Sequence, residues 1–337
     1  MPKRVGLLFE RIIEPDNLRL ALRKALRGKR SKTDAIAFAV DALGDDLQTG
    51  RMDFSEYHQF PIRDPKERWI TAPSFRLRVA HHAIINVCEP VFERHLIPDS
   101  FACRVGKGRL KALERAREFA GRRAFFLKMD IRKYFNSISH TVLIKQLERR
   151  FKDKRLLDLF WRIIESYGGR HGRGLPIGSL TSQHFANLHL SDLDRLIKER
   201  LRAFGYVRYM DDFVVWGNSS AQLRDALNAI RMYLGEELKL ALRPEPYINR
   251  SAHGMDFLGC RVYPWGLKLN RASRTRFGRK LTVLERSYLA GRIDEAELQQ
   301  RGTALTAFTT TPGLASWRCR QAVLKRSPVS GREPGTA

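Results

Sequence analysis

Long apolar runs are missing from this 337-residue chain. None approaches the ~18 residues of a membrane-spanning helix, so no membrane is expected as a partner. Cysteine is scarce. Cys88, Cys103, Cys260 and Cys319 form no CxxC pair and no even-spaced framework, which excludes a disulfide scaffold and predicts buried thiols. A secretory leader is not expected either. Met1-Pro2-Lys3-Arg4 has the charge of one, but the apolar stretch from Val5 to Phe9 is short and runs into Glu10-Arg11. A soluble cytoplasmic protein is the expectation. His81-His82 has no second ligand cluster at suitable spacing, so zinc is not expected and the pair reads as packing or polar groups on a helix. No internal repeat is visible.

Acidic residues are outnumbered, 36 against 62 basic ones, for a net charge of +26. With 43% hydrophobic residues the chain is no disordered basic tail, and its length allows two or three domains with a large core. Such a charge repels itself unless a polyanion is near, and nothing here anchors to a membrane, so nucleic acid is the expected partner. A merely solubilising surface is the alternative, but the basic residues come in blocks. One runs Arg19, Arg23, Lys24, Arg27, Lys29, Arg30, Lys32; another runs Arg271, Arg274, Arg276, Arg279, Lys280. At helical spacing each forms a stripe that contacts phosphates without reading bases.

Apolar residues at helical spacing predict helices up to about residue 50, with Gly28 and Gly50 as breaks, and again over 74–97, 153–167, 181–204 and 219–238. Pro61, Pro65 and Pro73 keep 57–72 extended. Short apolar runs at 125–129, 206–216 and 257–262 read as strands. The last 70 residues look helical and basic, with a loose Pro/Gly/Ser-rich tail after Arg326. Strands interspersed irregularly with helices suggest an α+β core with helical additions.

The chemistry lies in carboxylates. Asp211 and Asp212 stand between Val207-Arg208-Tyr209-Met210 and Phe213-Val214-Val215-Trp216, so the pair falls at the tip of a predicted hairpin. Asp45-Asp46 is a doublet too, but among Gly44, Gln48 and Gly50 it reads as solvated. Wedging acids between apolar strands costs desolvation and repulsion, which a divalent cation removes. Asp130 ends the run at 125–129. If the strands are neighbours, three acids converge at a sheet edge, a hard-oxygen set suited to Mg²⁺. Two such ions would activate a primer 3′-hydroxyl and stabilise leaving pyrophosphate. The alternative is a doublet in a surface turn.

Tyr209-Met210-Asp211-Asp212 resembles the YxDD box of reverse transcriptases, and Asp130 followed five residues later by Phe135 resembles their first catalytic motif. Between them, Gly174-Leu175-Pro176-Ile177-Gly178-Ser179-Leu180-Thr181-Ser182-Gln183 resembles the motif that packs on the nascent base pair, and Phe257-Leu258-Gly259 resembles the primer-grip hairpin. The motifs stand in family order. The resemblance implies an RNA-directed DNA polymerase with a right-hand polymerase fold, α+β. It places an N-terminal helical extension at 1–56, fingers at 57–121 and a palm with an antiparallel sheet at 122–264. Fingers helices are inserted at 146–173, the helical thumb covers 265–325, and the tail 326–337. Asp130, Asp211 and Asp212, with the backbone of Ile131, are the implied holders of two Mg²⁺ ions, Mn²⁺ being the alternative. Phe135 matches the steric gate against a ribose 2′-hydroxyl, or else is a core phenylalanine. Arg63, Lys66 and Arg68 match the grip on the nucleotide triphosphate, Arg68 best, with a solvated loop as the alternative. Arg104, Lys107 and Arg109, flanking Gly106 and Gly108, are assigned to template contact; Tyr209, Met210, Phe257, Leu258 and Gly259 to template and primer.

Two departures matter. Most family members have Gln-Gly and Ser-Pro in the packing motif, where this chain has Ile177-Gly178 and Ser182-Gln183. That is similar to the reverse transcriptases of diversity-generating retroelements, which misincorporate opposite template adenine during mutagenic retrohoming. Isoleucine can only pack where glutamine hydrogen-bonds, and losing such a contact weakens discrimination by ~1–3 kcal/mol; a harmless apolar replacement is the alternative. Many members also carry a lysine general acid where this chain reads Leu242-Arg243-Pro244, and arginine hardly gives up a proton. The resemblance implies dNTPs, template RNA, an RNA–DNA hybrid and a basic oligomeric accessory protein as partners, in a bacterial or phage setting. Two rival readings stand beside it. One is a stand-alone bacterial enzyme of phage-defence or group II intron-like type, although the length leaves no room for a maturase plus endonuclease module and no RNase H segment is seen. The other is a catalytically inactive RNA-binding scaffold.

Overall fold

The apolar runs on either side of the acidic doublet pair with each other and with the run that ends in Asp130. The computed structural model describes residues 3–27, 33–63, 67–167 and 172–307, without the side chains of 33–39, 63, 68 and 307. Gly28, Lys66, Cys319, part of the first basic block, the end of the implied thumb and the tail lie outside the described residues.

The chain starts with α1 (Phe9–Ile13), α2 (Pro15–Ala25) and α3 (Thr33–Thr49). A hairpin of β1 (Tyr57–Arg63) and β2 (Glu67–Pro73) leads to α4 (Phe75–His95) and α5 (Arg109–Arg122). Next come β3 (Phe125–Asp130), α6 (Tyr134–Ser137), α7 (His140–Glu148) and α8 (Lys154–Ser166). Then follow α9 (Leu180–His189), α10 (Ser191–Arg195), β4 (Gly205–Tyr209), β5 (Asp212–Gly217), α11 (Ser220–Glu236) and β6 (Tyr247–Arg250). A small sheet of β7 (Met255–Phe257), β8 (Cys260–Tyr263) and β9 (Gly266–Leu269) precedes α12 (Arg271–Leu289) and α13 (Glu295–Ala307).

The central sheet has four antiparallel strands in the order β4-β5-β3-β6. Its strands read as unbroken apolar runs because both faces are covered. Leu127, Met129, Tyr206, Phe213 and Val215 enter a core shared with helices α1–α4 and α6–α11. Phe126, Val207, Val214 and Trp216 enter a second core with α5 and the β7–β9 sheet. Period-2 alternation divides each strand between them. In α8, Leu156, Phe160 and Ile163 are buried as the spacing predicts. The Asp153 carboxylate caps that helix by accepting from Leu156 N–H, and it also accepts from Leu8 and Phe9 N–H. That tethers the N-terminal segment.

Three expectations are corrected. The predicted single helix over 181–204 is broken into α9, α10 and a π turn over Leu196–Arg200. Asn187 on α9 and Asp194 on α10 both bond to Arg208, so one guanidinium ties the two segments together. Cys88 and Cys260 are buried, but Cys103 is exposed, in a turn where its own φ is +53°. Asp46 is not simply solvated: it pairs with Arg51 at 3.3 Å and with Arg76. Helices α5 and α7 carried no clear sequence signal; α5 presents its small Ala112, Ala116 and Ala120 to the core beside Leu113 and Phe119.

Candidate active site

Strands β3 and β5 end in register, with Asp130 directly opposite Asp212. Met210 at φ +58° makes the tight turn between β4 and β5, which sets Asp211 at the tip beside them. Ile131 N–H donates to the Asp211 carbonyl at 3.3 Å, tying the two chain segments together. Asp130 and Asp212 both belong to the sheet face of Phe126 and Val214, so like charges stand across from each other, an unfavourable pairing.

Two cations answer that repulsion, and the sequence reading did not assign them to the site. Lys128, two residues before Asp130 and hence on the same face, places its Nζ 2.8 Å from Asp212 Oδ1. Arg243 Nε lies 2.7 Å from Asp130 Oδ1, while its backbone N–H donates to the Asp130 carbonyl at 2.9 Å. The segment 241–243 runs beside 130–132, with Arg132 N–H donating to the Ala241 carbonyl. Asp211 is left with the least relief. Burial first, then the charge of Asp130, pushes its carboxyl up to about 6. Burial also raises Asp212, against the pull of Lys128.

Beneath the turn lies a closed cluster. Arg208 and Asp194 are both fully buried and joined by two bonds of 2.7 Å. Tyr206 Oη donates to the same carboxylate at 2.7 Å, Asn187 Oδ1 accepts from Arg208 at 3.0 Å, and Arg208 also reaches the Met210 carbonyl at 3.2 Å. The turn bearing Asp211 is therefore held from below. An arginine in the middle of an apolar strand was the available sequence signal, since such a charge requires a buried partner. Which carboxylate serves was not legible.

The packing motif is brought against the β1–β2 hairpin. Thr71 N–H donates to the Ile177 carbonyl at 2.8 Å. Gly178 has φ +122°, and a Cβ there would lie 3.1 Å from Ile70 Cγ2 and from the Thr71 carbonyl oxygen. Ile177 and Gln183 are half-buried. Arg68 lies opposite Ile62, and Arg63 opposite Glu67, at the end of this hairpin; Lys66 is outside the described residues. Phe135 is half-buried against the core, edge-on to Tyr134 at 5.7 Å, and its carbonyl accepts from Leu175 N–H. Leu258 and Gly259, both at positive φ, turn β7 into β8, and Tyr209 and Leu258 pack on the core facing the acids.

The three cations assigned to template all have partners within the protein. Arg104 is buried, forked onto Glu93, and donates to the Ile97 and Ser100 carbonyls. Lys107 donates to the Pro98 carbonyl and sits over the Phe101 ring. Arg109 bonds the Leu258 carbonyl and Cys260 Sγ. A buried guanidinium gives up a carboxylate only at high cost, so Arg104 is a strut for this loop, and Arg109 braces the β7–β8 turn.

Among the described residues no group of three or more His, Cys, Asp or Glu side chains is already gathered as a metal cage. Asp130 and Asp211 nevertheless fit a hard divalent cation. They are two neighbouring oxygen donors, and each disfavours the other's charge. Magnesium takes one or two carboxylates and completes its shell with water and phosphate. Asp212, held by Lys128, is the less direct member.

A profile of the family described as "Reverse transcriptase (RNA-dependent DNA polymerase)" matches residues 62–262, more than half of the chain. Protein YkfC of Escherichia coli (strain K12) is 24% identical over 327 residues, covering 77% of this chain and 83% of that protein. Group II intron-encoded protein LtrA of Lactococcus lactis subsp. cremoris is 24% identical over 217 residues, 56% of this chain and 35% of its own length. Apo telomerase from Candida tropicalis aligns with a TM-score of 0.49 at 10% identity, over 77% of this chain and 53% of that one. The chain thus spans most of YkfC, about a third of LtrA and about half of the telomerase.

Proposed function

Because this chain belongs to the reverse transcriptase (RNA-dependent DNA polymerase) family, we propose that it copies an RNA template into DNA at the turn carrying Asp211. Its helices packed around an antiparallel sheet form the right-hand polymerase fold. The observation that carries the reading is the register of β3 with β5, which sets Asp130 beside the Asp211-Asp212 turn.

In this reading Asp130 and Asp211, with the backbone at Ile131, hold two magnesium ions. When bound, these supply a lowered pKa for the primer 3′-hydroxyl and positive charge for the departing pyrophosphate. The protein's own part is position. Arg208 fixes the turn through the Met210 carbonyl. Lys128 keeps Asp212 oriented. Arg243 holds the Asp130 carboxylate in place from the side. The packing loop, seated on β2 through Ile177 and Gly178, forms one wall for the nascent base pair, and Phe135 forms the floor beneath the incoming sugar. Arg68 and Arg63 on the β1–β2 hairpin bind the triphosphate. The hairpin and α4–α5 act as fingers, the four-stranded and three-stranded sheets as palm, and α12–α13 as thumb. The β7–β9 sheet runs to Leu269, so the palm extends past 264. The basic stripe of α12 contacts the backbone of the hybrid.

The test is direct. Purified protein with primed RNA, dNTPs and Mg²⁺ extends the primer, and Asp130→Asn does not. RNA binding without extension by the intact chain would instead make it an inactive scaffold.

The subfamily reading is a diversity-generating retroelement enzyme, error-prone at template adenine and working with a basic oligomeric accessory protein. Its support is the apolar Ile177 on the half-buried loop facing β2. Ile177→Gln is expected to lower errors at adenine several-fold in sequenced cDNA; an unchanged spectrum removes Ile177 from the account. The similarity to LtrA favours a second reading, a group II intron-like enzyme. Errors spread evenly over all template bases would select it.

A further inference from the structure

Tyr263 and Trp265 flank Pro264 at the turn from β8 to β9. Their rings stack, with centroids 4.7 Å apart and planes 16° from parallel. Trp265 remains 63% exposed. The Lys268 ammonium stands 4.6 Å from the Trp265 centroid and 5.6 Å from that of Tyr263. Among the described residues no carboxylate pairs with Lys268, and the Arg261 guanidinium lies 5.9 Å from the Tyr263 centroid.

Tyr263 is backed on one side by Gly254, so closely that a Cβ there, at φ +78°, would be 2.5 Å from the tyrosine ring. The stack is therefore seated on the protein on that side, with Trp265 open to solvent. It is also remote from the acids. The neighbouring Ser251 N–H donates to the Ala124 carbonyl, so the stack belongs to the Phe125 end of β3. Asp130 is at the other end, about 17 Å along the strand at ~3.3 Å per residue.

An exposed indole on this stack, with a cation at its edge, on a chain of net charge +26, has the chemistry that receives an unpaired nucleotide. The base extends the stack, and the phosphate meets the ammonium. We propose that Tyr263, Trp265 and Lys268 form a landing site for single-stranded nucleic acid outside the catalytic groove. Every base has a π face, so the site has little sequence preference. A protein partner is less favoured, because the ring is ringed by cations rather than by an apolar rim.

The experiment uses the full chain without Mg²⁺ or dNTPs, so its outcome is independent of whether the protein polymerises. The groove is first saturated with an unlabelled RNA–DNA hybrid. Binding of 12-nucleotide oligo(U) and oligo(dT) is then measured, and 4-thio-substituted strands are crosslinked and mapped by mass spectrometry. Crosslinks are expected on the peptide containing 263–265. Trp265→Ala weakens binding about tenfold, in the range of one lost stacking contact, while Trp265→Phe stays within about threefold, aromatic stacking being retained. Lys268→Gln lowers the slope of log affinity against log salt by about 0.7, one phosphate contact on a single strand. Comparing the two oligonucleotides tells RNA from DNA as the occupant. Wild-type affinity in Trp265→Ala, crosslinks confined to other peptides, or self-association lost in Trp265→Ala would each overturn the proposal.

Discussion

Arg208 and Asp212 lie four residues apart on one hairpin, yet the charge clusters they belong to are built in opposite ways. Around Arg208 every charge is answered: Asp194, Tyr206 and Asn187 close a fully buried network. Around Asp212 the accounting is incomplete. Two cations serve three carboxylates, and Asp211 is pushed up to about 6 because burial and Asp130 both oppose its charge. A satisfied buried network makes a rigid support. A partly satisfied one costs stability unless something binds it, which is the signature of a site. The contrast also shows why neither doublet nor strand charge is informative alone. Asp45-Asp46 is an acidic pair on a helix, and Asp46 finds two arginines there.

The comparison can be broken at either end. The largest effect is expected at the open cluster. Asp211→Asn lowers primer extension by at least 10⁴-fold, about 5.5 kcal/mol of barrier, while the unfolding midpoint stays equal or rises. The sign follows from the shift. A carboxyl raised in the folded state is stable when protonated, and its contribution is lost as pH rises from about 4 through about 6, so at neutral pH the amide relieves a burden. A clear loss of stability in this variant would show that Asp211 is a structural member.

The closed cluster is expected to behave the other way. Arg208→Met leaves Asp194 buried and unpaired and costs about 3–5 kcal/mol in denaturant unfolding. Arg208→Met combined with Asp194→Leu recovers most of that. Failure of the double variant to recover would mean that the network contributes more than its ion pair, through the Met210 carbonyl and the turn it holds.

A graded effect, spread over several groups, separates the two regions by pH. His81, His184 and His189 are neutral in the core, pushed down by burial to about 3, about 4 and about 4. A histidine with a lowered folded pKa stabilises fully above its unfolded value near 6.5 and loses that contribution as pH falls. Each adds at most ~1.4 kcal/mol of loss per pH unit below that point. Urea midpoints at pH 7, 6 and 5 should therefore fall, while over part of this window the Asp211 contribution moves in the opposite sense. A flat profile would show that these imidazoles find room to charge in place.

Much of this arrangement was readable before any fold was known. Short apolar runs marked β3, β4 and β5, and the position of Asp130 at the end of one of them placed it beside the doublet once the strands paired. The extended character of 57–72 followed from its prolines, though not its pairing as a hairpin, and α8 followed from its apolar stripe. The failures are equally physical. Helix α5 shows the core mainly alanines, a weak signal. The break between α9 and α10 lies in a side-chain network that spans both helices and β4. What the sequence did not show is that Arg104, Lys107 and Arg109, assigned to template because they flank two glycines, also have partners within the protein, in Glu93 and in backbone carbonyls. Lys128 was read as part of an apolar run, although its even spacing from Asp130 puts both on one face.

The order of residues determined which side chains share a strand face and which end of each strand is acidic, and the composition set the excess of positive charge. Tertiary structure alone decided which charges are answered. Whether Asp194 reaches Arg208, or Arg243 reaches Asp130, depends on the meeting of segments 14 and 113 residues apart. Desolvation acts on whatever those neighbours enclose, a quantity no local stretch of sequence contains.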